Sequence, residues 1–248
     1  MLITIPDEAI ADQDLSANDL LIEFVVALYQ NGRLTMGHAC KMTNLSDIEF
    51  QRQLSAREID IHYPPESLDD DLATLRSGLS LSRIAARIHV SDTTAITNLA
   101  AIGRLDLMHS LLGQVFIPHE VYLELTRHGD RTPGAREVKT SEWILTRDVT
   151  RRDLVDSLTP PLDLGEAEAI ALAMEINAHV LIIDEYAGRQ TAKAFGLNIV
   201  APLGLLIKAR RQSLIPSVAP FLERLQQEAG FRRCIERHSS NLVFYSRN

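Results

Sequence analysis

The sequence predicts an α/β protein, a parallel sheet with helices on both faces, preceded by a small and mostly helical domain. From about residue 86 onward, short apolar stretches alternate with helical ones, which is typical of a parallel sheet wrapped by helices. Residues 88–91 alternate apolar and polar side chains as a strand does, and residues 179–183 form the apolar run of a buried parallel strand. Before residue 77 the apolar residues follow a helical spacing instead.

The other elements of the second domain follow from the same periodicities. Strands are predicted at 114–117, 143–145 and 197–200, and helices at 95–102, 104–112, 133–140, 164–177 and 184–195. One more helix runs through Val121 and Leu125, and Pro118 is expected at its first position, where a missing N–H is tolerated.

The first domain has the pattern of a helix-turn-helix unit. Helices are predicted over residues 18–30 and 47–56, and between them lies a second helix that Thr35 is expected to cap. Ser46 and Glu49 fit a capping box at the start of the third helix. A helix, a tight turn and a helix are the arrangement that many DNA-binding domains use.

The third helix has few basic residues for a DNA-reading element. Its exposed side chains are expected to be Gln51, Arg52, Ser55 and Arg57. Because neutralising phosphates supplies most non-specific DNA affinity, an acidic domain with two such arginines is a weak DNA binder. The alternative is a small helical domain that contacts another protein.

Charge is shared unevenly along the chain and supports a division into two domains. The first 85 residues have a net charge of −8, the rest sums to zero, and residues 208–248 hold +5. We therefore expect a domain at 1–77, a short linker at 78–85 and a domain at 86–248. The basic end, with Arg210 and Arg211, is a candidate nucleic-acid surface alongside Arg52 and Arg57.

Composition predicts a cytoplasmic protein. The two cysteines have no metal-type spacing, acidic residues come too early for a signal peptide, and no apolar run reaches the ~20 residues that a membrane span needs. A short strand predicted at residues 2–5, together with exposed helices, would suit a homo-oligomer.

The candidate site is a group of acids at one edge of the sheet. Asp92 and Asp184 each follow a predicted strand directly, and the carboxyl ends of parallel strands meet at the same edge. Glu166 begins the helix before the second of these strands, and Glu124 lies in the helix that begins near Pro118. Converging carboxylates need a cation, and hard oxygen ligands favour Mg²⁺ or Mn²⁺. Such a site, with Asp92, Glu166 and Asp184 as metal ligands, can hydrolyse phosphodiesters.

Each acid also has a simpler interpretation. Asp92 and Asp184 could cap the helices that follow them, and Asp163 with Glu166 could be a capping box. Glu120 lies one turn before Glu124, so either could be the site acid.

Further candidates complete the set. Glu185 could replace its neighbour Asp184, and Glu168 is expected on a solvated helix face. Thr94 is an additional candidate, and Arg189 could contact phosphate or pair with Glu185 one turn earlier.

The second domain resembles the PIN domain, in a branch found in bacterial toxins. The resemblance rests on residues 90–96, 118–125, 164–173 and 181–185, and on Arg189, Gly196 and residues 203–206. It implies a metal-dependent ribonuclease in which four residues match the family's metal-binding acids: Asp92, Glu124, Glu166 and Asp184. A glutamate stands at the third acid position, where many PIN nucleases have aspartate.

The first domain resembles a small bacterial family of antitoxin-like proteins, through residues 3–8, 27–34, 50–54, 59–61 and 69–72. The two resemblances together imply a toxin fused to its antitoxin, with RNA as substrate and a contact between the two domains within the chain. In a second hypothesis the protein regulates transcription by binding operator DNA, and in a third it is an interaction module with an inactive PIN-like domain.

Overall fold

The computed structural model describes residues 15–59, 70–71, 73–74 and 87–228. The predicted strand at 2–5 and the linker at 78–85 lie outside these residues. Of the helices that the structure describes, none combines the length and the apolar character that crossing a bilayer requires.

Three helices form the first module, the name used below for the N-terminal helical domain. They are α1 (Ala17–Gln30), α2 (Met36–Thr43) and α3 (Asp47–Ala56). The predicted cap and capping box are confirmed, because the Thr35 hydroxyl accepts the N–H of His38 and Ser46 exchanges hydrogen bonds with Glu49.

The second domain contains a parallel sheet, as the sequence predicts. Its strands within the described residues are β1 (His89–Ser91), β2 (Val115–Pro118), β3 (Ile144–Arg147), β4 (Val180–Ile182) and β5 (Ile199–Val200). They lie in the order β3-β2-β1-β4-β5, and all neighbours are parallel. The chain therefore reverses its winding between β1 and β4, and the carboxyl ends of these two strands are where such sheets form a crevice.

Helices cover both faces of the sheet. They are α4 (Thr93–Ala101), α5 (Asp106–Leu112), α6 (His119–Thr126), α7 (Ala135–Thr140), α8 (Arg152–Leu158), α9 (Leu164–Glu175), α10 (Tyr186–Ala194), α11 (Pro202–Arg211) and α12 (Ala219–Glu228). The sequence did not lead us to expect α8, α11 or α12. Pro118 ends β2 and precedes α6, so our prediction that it occupies the first helical position was wrong by one residue.

Alternate residues of β4 enter different cores, which is the pattern of a sheet buried on both faces. Val180 and Ile182 pack in a cluster with α4, α5 and α11, whereas Leu181 and Ile183 pack with α8 and α9. Buried residues of the first module, Phe50 among them, belong to the former cluster.

The third helix of the first module is packed against the second domain. Helix α3 contacts α4, and Gln51 is 1% exposed, so our expectation of an exposed Gln51 was wrong. The Arg52 guanidinium donates to the carbonyl of Glu228 at 2.7 Å, and Arg57 pairs with Glu23 at 2.5 Å. Both candidate DNA-binding arginines are therefore held by contacts within the protein.

Candidate metal centre

The ends of β1 and β4 bring two of the predicted acids together. The N–H of Asp92 donates to the carbonyl of Ile182 at 3.0 Å, and the N–H of Asp184 donates to Asp92 Oδ2 at 3.3 Å. Asp92 also caps α4, since its Oδ1 accepts the N–H of Ala95 at 2.8 Å. Asp92 therefore both caps α4 and lies at the edge of the sheet.

A small cavity at this edge is lined by carboxylates from several elements. Asp47 of the first module is one of them, and we call the five from the second domain the acid edge: Asp92, Glu124, Asp163, Glu166 and Glu185. Thr93, Thr94 and one more residue of the first module complete the lining. Four of the five acids were candidates from the sequence.

Asp163, Glu166 and Glu185 are the acids best placed to share an ion. All three are buried, and each offers one carboxylate oxygen within 4.8 Å of those of the other two. Sequence reasoning treated Asp163 only as a cap, and it does accept the N–H of Glu166 at 2.9 Å. Its position three residues before Glu166 is the signal that could also have placed it in the site.

Asp184 and Glu185 diverge at the end of β4. Asp184 Oδ2 accepts a hydrogen bond from the Asn98 amide at 3.2 Å, whereas Glu185 reaches the cavity. The structure therefore places Glu185, rather than Asp184, beside Glu166. The metal set expected from the sequence, Asp92 with Glu166 and Asp184, stays a prediction.

The electrostatics of the acid edge favour binding of a cation. Burial raises the pKa of Glu166 well above its usual range, and the negative charges of Glu185 and Asp163 raise it further. Burial also raises the pKa of Asp92, and together with the charge of Asp163 it raises the pKa of Glu124 to about 8. Neither carboxylate oxygen of Glu166 accepts a hydrogen bond from an N–H or hydroxyl group in the part of the chain that the structure describes. A divalent cation would satisfy both the charge and these oxygens.

Two glycines leave room for the carboxylates. A Cβ on Gly188 would collide with Glu166 Oε1 and with Ile183, and a Cβ on Gly165 would lie 2.5 Å from Glu124 Oε2. The cavity therefore depends on the absence of two side chains as well as on the acids.

Helix α6 presents Glu124, rather than Glu120, to the cavity. The Thr93 hydroxyl donates to Glu124 Oε2 at 2.6 Å and fixes this carboxylate. Glu120 lies further out, where Lys41 and Arg127 are 3.5 and 3.9 Å from its Oε1.

Glu168 is not on a solvated face, so this expectation was wrong. It is 3% exposed, pairs with Arg152 and accepts the N–H of Glu120 at 3.2 Å. Helix α8, which was missed in the sequence, supplies Arg152 and covers this face of α9. Glu168 thereby attaches the start of α6 to α9 and acts as structural support for Glu124.

Arg189 pairs with a different acid from the one expected. It is 1% exposed, and its guanidinium pairs with Asp71 at 2.6 Å, whereas no ion pair joins it to Glu185 within the described residues. Its Nη1 also donates to the carbonyl of Ile183 at 3.1 Å. Contact of Arg189 with a phosphate stays a prediction.

The first module lies directly over the acid edge. At the start of α2 the N–H of Met36 donates to Glu185 Oε2 at 3.2 Å, and a Cβ on Gly37 would collide with the carboxylate of Asp163. Further along α2, the Lys41 ammonium lies 3.3 Å from Glu124 Oε1.

Comparisons with known proteins agree with this geometry. A family model described as a PIN domain matches residues 88–242, more than half of the chain. The chain belongs to the PIN domain family. PIN domains are generally nucleases and typically use divalent metal ions, which fits the acidic cluster at the end of its parallel sheet.

The first module has relatives of its own. Residues 1–77 match the model of an uncharacterised family, UPF0175, which is antitoxin-like. A UPF0175 protein of Synechocystis sp. is 32% identical over 75 residues, which are 30% of this chain and 84% of that relative. No solved structure matches the chain. The fusion of an antitoxin-like module to a PIN domain, inferred from sequence resemblance, is confirmed.

Proposed function

We propose that this protein is an Mg²⁺- or Mn²⁺-dependent endoribonuclease of the PIN toxin type, carried in one chain with the module that covers its site. The observation that carries the proposal is the convergence of five carboxylates, four of them buried and Glu124 partly buried, at the crevice of a parallel sheet. Groups of hard oxygen ligands with raised pKa values and unpaired oxygens are typical of divalent-cation sites.

Asp163, Glu166 and Glu185 would hold the ion, with Asp92 and Glu124 beside them. When bound, a divalent ion supplies a water of lowered pKa and offsets the negative charge that develops on a phosphodiester. The chain's own residues orient the site: two backbone N–H groups fix Asp92, and the Thr93 hydroxyl fixes Glu124. RNA is the substrate that we propose, with Arg210 and Arg211 at the end of α11 as candidate phosphate contacts.

We infer further that the first module restrains the enzyme. Helix α2 occupies the mouth of the acid edge, and Lys41 neutralises part of its charge where substrate would need to approach. A different form of restraint would be a shield in which the acidic first module covers the basic end of the chain. The contacts of Met36, Gly37 and Lys41 instead support restraint at the carboxylates themselves.

Reversing the charge of Lys41 tests both parts of the proposal. Lys41→Glu places a negative charge against Glu120 and Glu124, so it should loosen α2 and raise Mn²⁺-dependent cleavage of RNA by the full chain at least about tenfold. Lys139→Glu, at an exposed position on α7, is the matched control and should leave cleavage unchanged.

Adding Glu166→Gln to the Lys41→Glu chain identifies the site of cleavage. If the acid edge is the catalytic centre, cleavage by the double variant is lost, whereas the exposed control Glu137→Gln in the same background retains it. Cleavage that survives Glu166→Gln would contradict the nuclease assignment. If Glu166→Gln abolishes cleavage but Lys41→Glu does not raise it, the nuclease assignment stands and only the restraint by the first module is contradicted.

A further inference from the structure

Asp71 is buried in the PIN domain although it belongs to the acidic stretch at the end of the first module. It is 0% exposed, and its two carboxylate oxygens have different partners. Oδ1 accepts from Arg189 Nη2 at 2.6 Å, and Oδ2 accepts from the backbone N–H of Ala201 at 2.9 Å. Its neighbour Asp70 is half-exposed and pairs with Lys193 on the surface of α10.

The surroundings of Asp71 favour an aspartate over other residues. Ala201 precedes α11, and Pro202 occupies the first turn of that helix, so a carboxylate here lies at the positive end of the helix dipole. A Cβ on Gly204 would lie 3.1 Å from the Cβ of Asp71, so the backbone of α11 approaches closely. Asparagine has one acceptor oxygen in place of two, so it cannot accept from Arg189 and from the Ala201 N–H through separate oxygens.

We propose that Arg189, the Ala201 N–H and Gly204 form a carboxylate socket on the PIN domain, and that Asp71 of the same chain is its occupant. The socket is a second attachment point for the N-terminal part of the chain, separate from the contact of α2 with the acid edge. A separate peptide with the sequence around Asp71 would compete for the socket. Recognition requires only the aspartate carboxylate and the close approach of Asp71 to the backbone of Gly204.

The socket also adjoins the acid edge through β4. Arg189 holds the carbonyl of Ile183, and the next two residues are Asp184 and Glu185. Filling the socket therefore fixes the segment that follows β4, in which the Glu185 carboxylate accepts a hydrogen bond from the Met36 N–H. Two attachment points on one chain reinforce each other, since closing one raises the effective concentration of the other. We expect loss of Asp71 to loosen α2 as well.

Hydrogen exchange on the full chain tests this without reference to nuclease activity. In Asp71→Asn, exchange at the Ala201 amide and at the amides of α2 should rise about tenfold or more over wild type. Asp70→Asn is the matched control, since it neutralises an adjacent aspartate that has a surface partner, and it should change exchange less than twofold. Equal effects of the two variants would overturn the proposal.

A synthetic peptide of residues 66–77 provides a second measurement that needs no variant protein. Added in excess to the wild-type chain, it should displace the chain's own segment and raise exchange in α2. The same peptide carrying the substitution Asp71→Asn should have no effect. If the two peptides act alike, the socket does not recognise the aspartate and the proposal fails, whatever the outcome of the RNA cleavage assay.

Discussion

At the scale of single residues, Glu166 has the least satisfied side chain of the site. It is buried in the first turn of α9, its carboxylate accepts from no N–H or hydroxyl group within the described residues, and negatively charged neighbours surround it. An isolated buried carboxylate of this kind is costly. The arrangement is stable when a proton or a cation is bound, and this is why we assign Glu166 the central place in the site.

A substitution at Gly188 tests whether Glu166 occupies the space beside this glycine. Replacing a helical glycine by alanine usually stabilises a protein by about 0.5–1 kcal/mol. Here the new Cβ would collide with Glu166 Oε1 and Ile183 Cδ1, so we expect Gly188→Ala to destabilise by about 1–3 kcal/mol instead. Chemical denaturation measures the difference, with Thr191→Ala on the same helix as a control expected within about 0.5 kcal/mol of wild type. A stabilising Gly188→Ala would show that the carboxylate is placed elsewhere.

At the scale of elements, periodicity was sufficient to predict the parallel sheet and most of the helices around it. The alternation of residues 88–91 and the apolar run before Asp184 predict β1 and β4 because burial on a sheet determines both patterns. Local capping signals were equally informative, as Ser46 and Glu49 show for α3.

Several features that were missed depend on contacts distant in sequence. Helix α8 is short, and Arg152 within it pairs with Glu168, a partner that no local pattern reveals. The burial of Gln51 follows from packing of α3 against α4. The choice between Asp184 and Glu185 depends on Asn98 and Met36, one from each module, so the sequence around β4 left both acids as candidates.

At the scale of the whole molecule, the acid edge makes stability depend on pH in metal-free buffer. Burial raises the pKa of Glu124 to about 8 and that of Asp47, which lines the same cavity, to about 6. The folded state therefore binds more protons than the unfolded state, and this contribution to stability is lost as pH rises from about 4 to 8. His89 acts in the opposite direction only below about pH 6.5, because burial lowers its pKa to about 4.

Between pH 6.5 and 8, His89 therefore no longer opposes the effect of the carboxylates on stability. We expect the melting temperature of the full chain in EDTA to fall across this interval, corresponding to about 1–2 kcal/mol from Glu124. Glu124→Gln should reduce the slope, and the exposed control Glu137→Gln should not. A melting temperature that stays constant or rises over this range would show that the acids are ionised in the folded protein.

The central claim is that one divalent ion binds among the carboxylates beneath α2, and Mn²⁺ titration followed by NMR tests it most directly. The amides of Ala95, Glu166 and Met36 each donate to a carboxylate of the acid edge. We predict that Mn²⁺ broadens these three signals first and that excess Mg²⁺ restores them, while Val115 and Val180 at the opposite edge of the sheet broaden later in the titration. Broadening confined to other amides, or none at saturating Mn²⁺, would contradict the account.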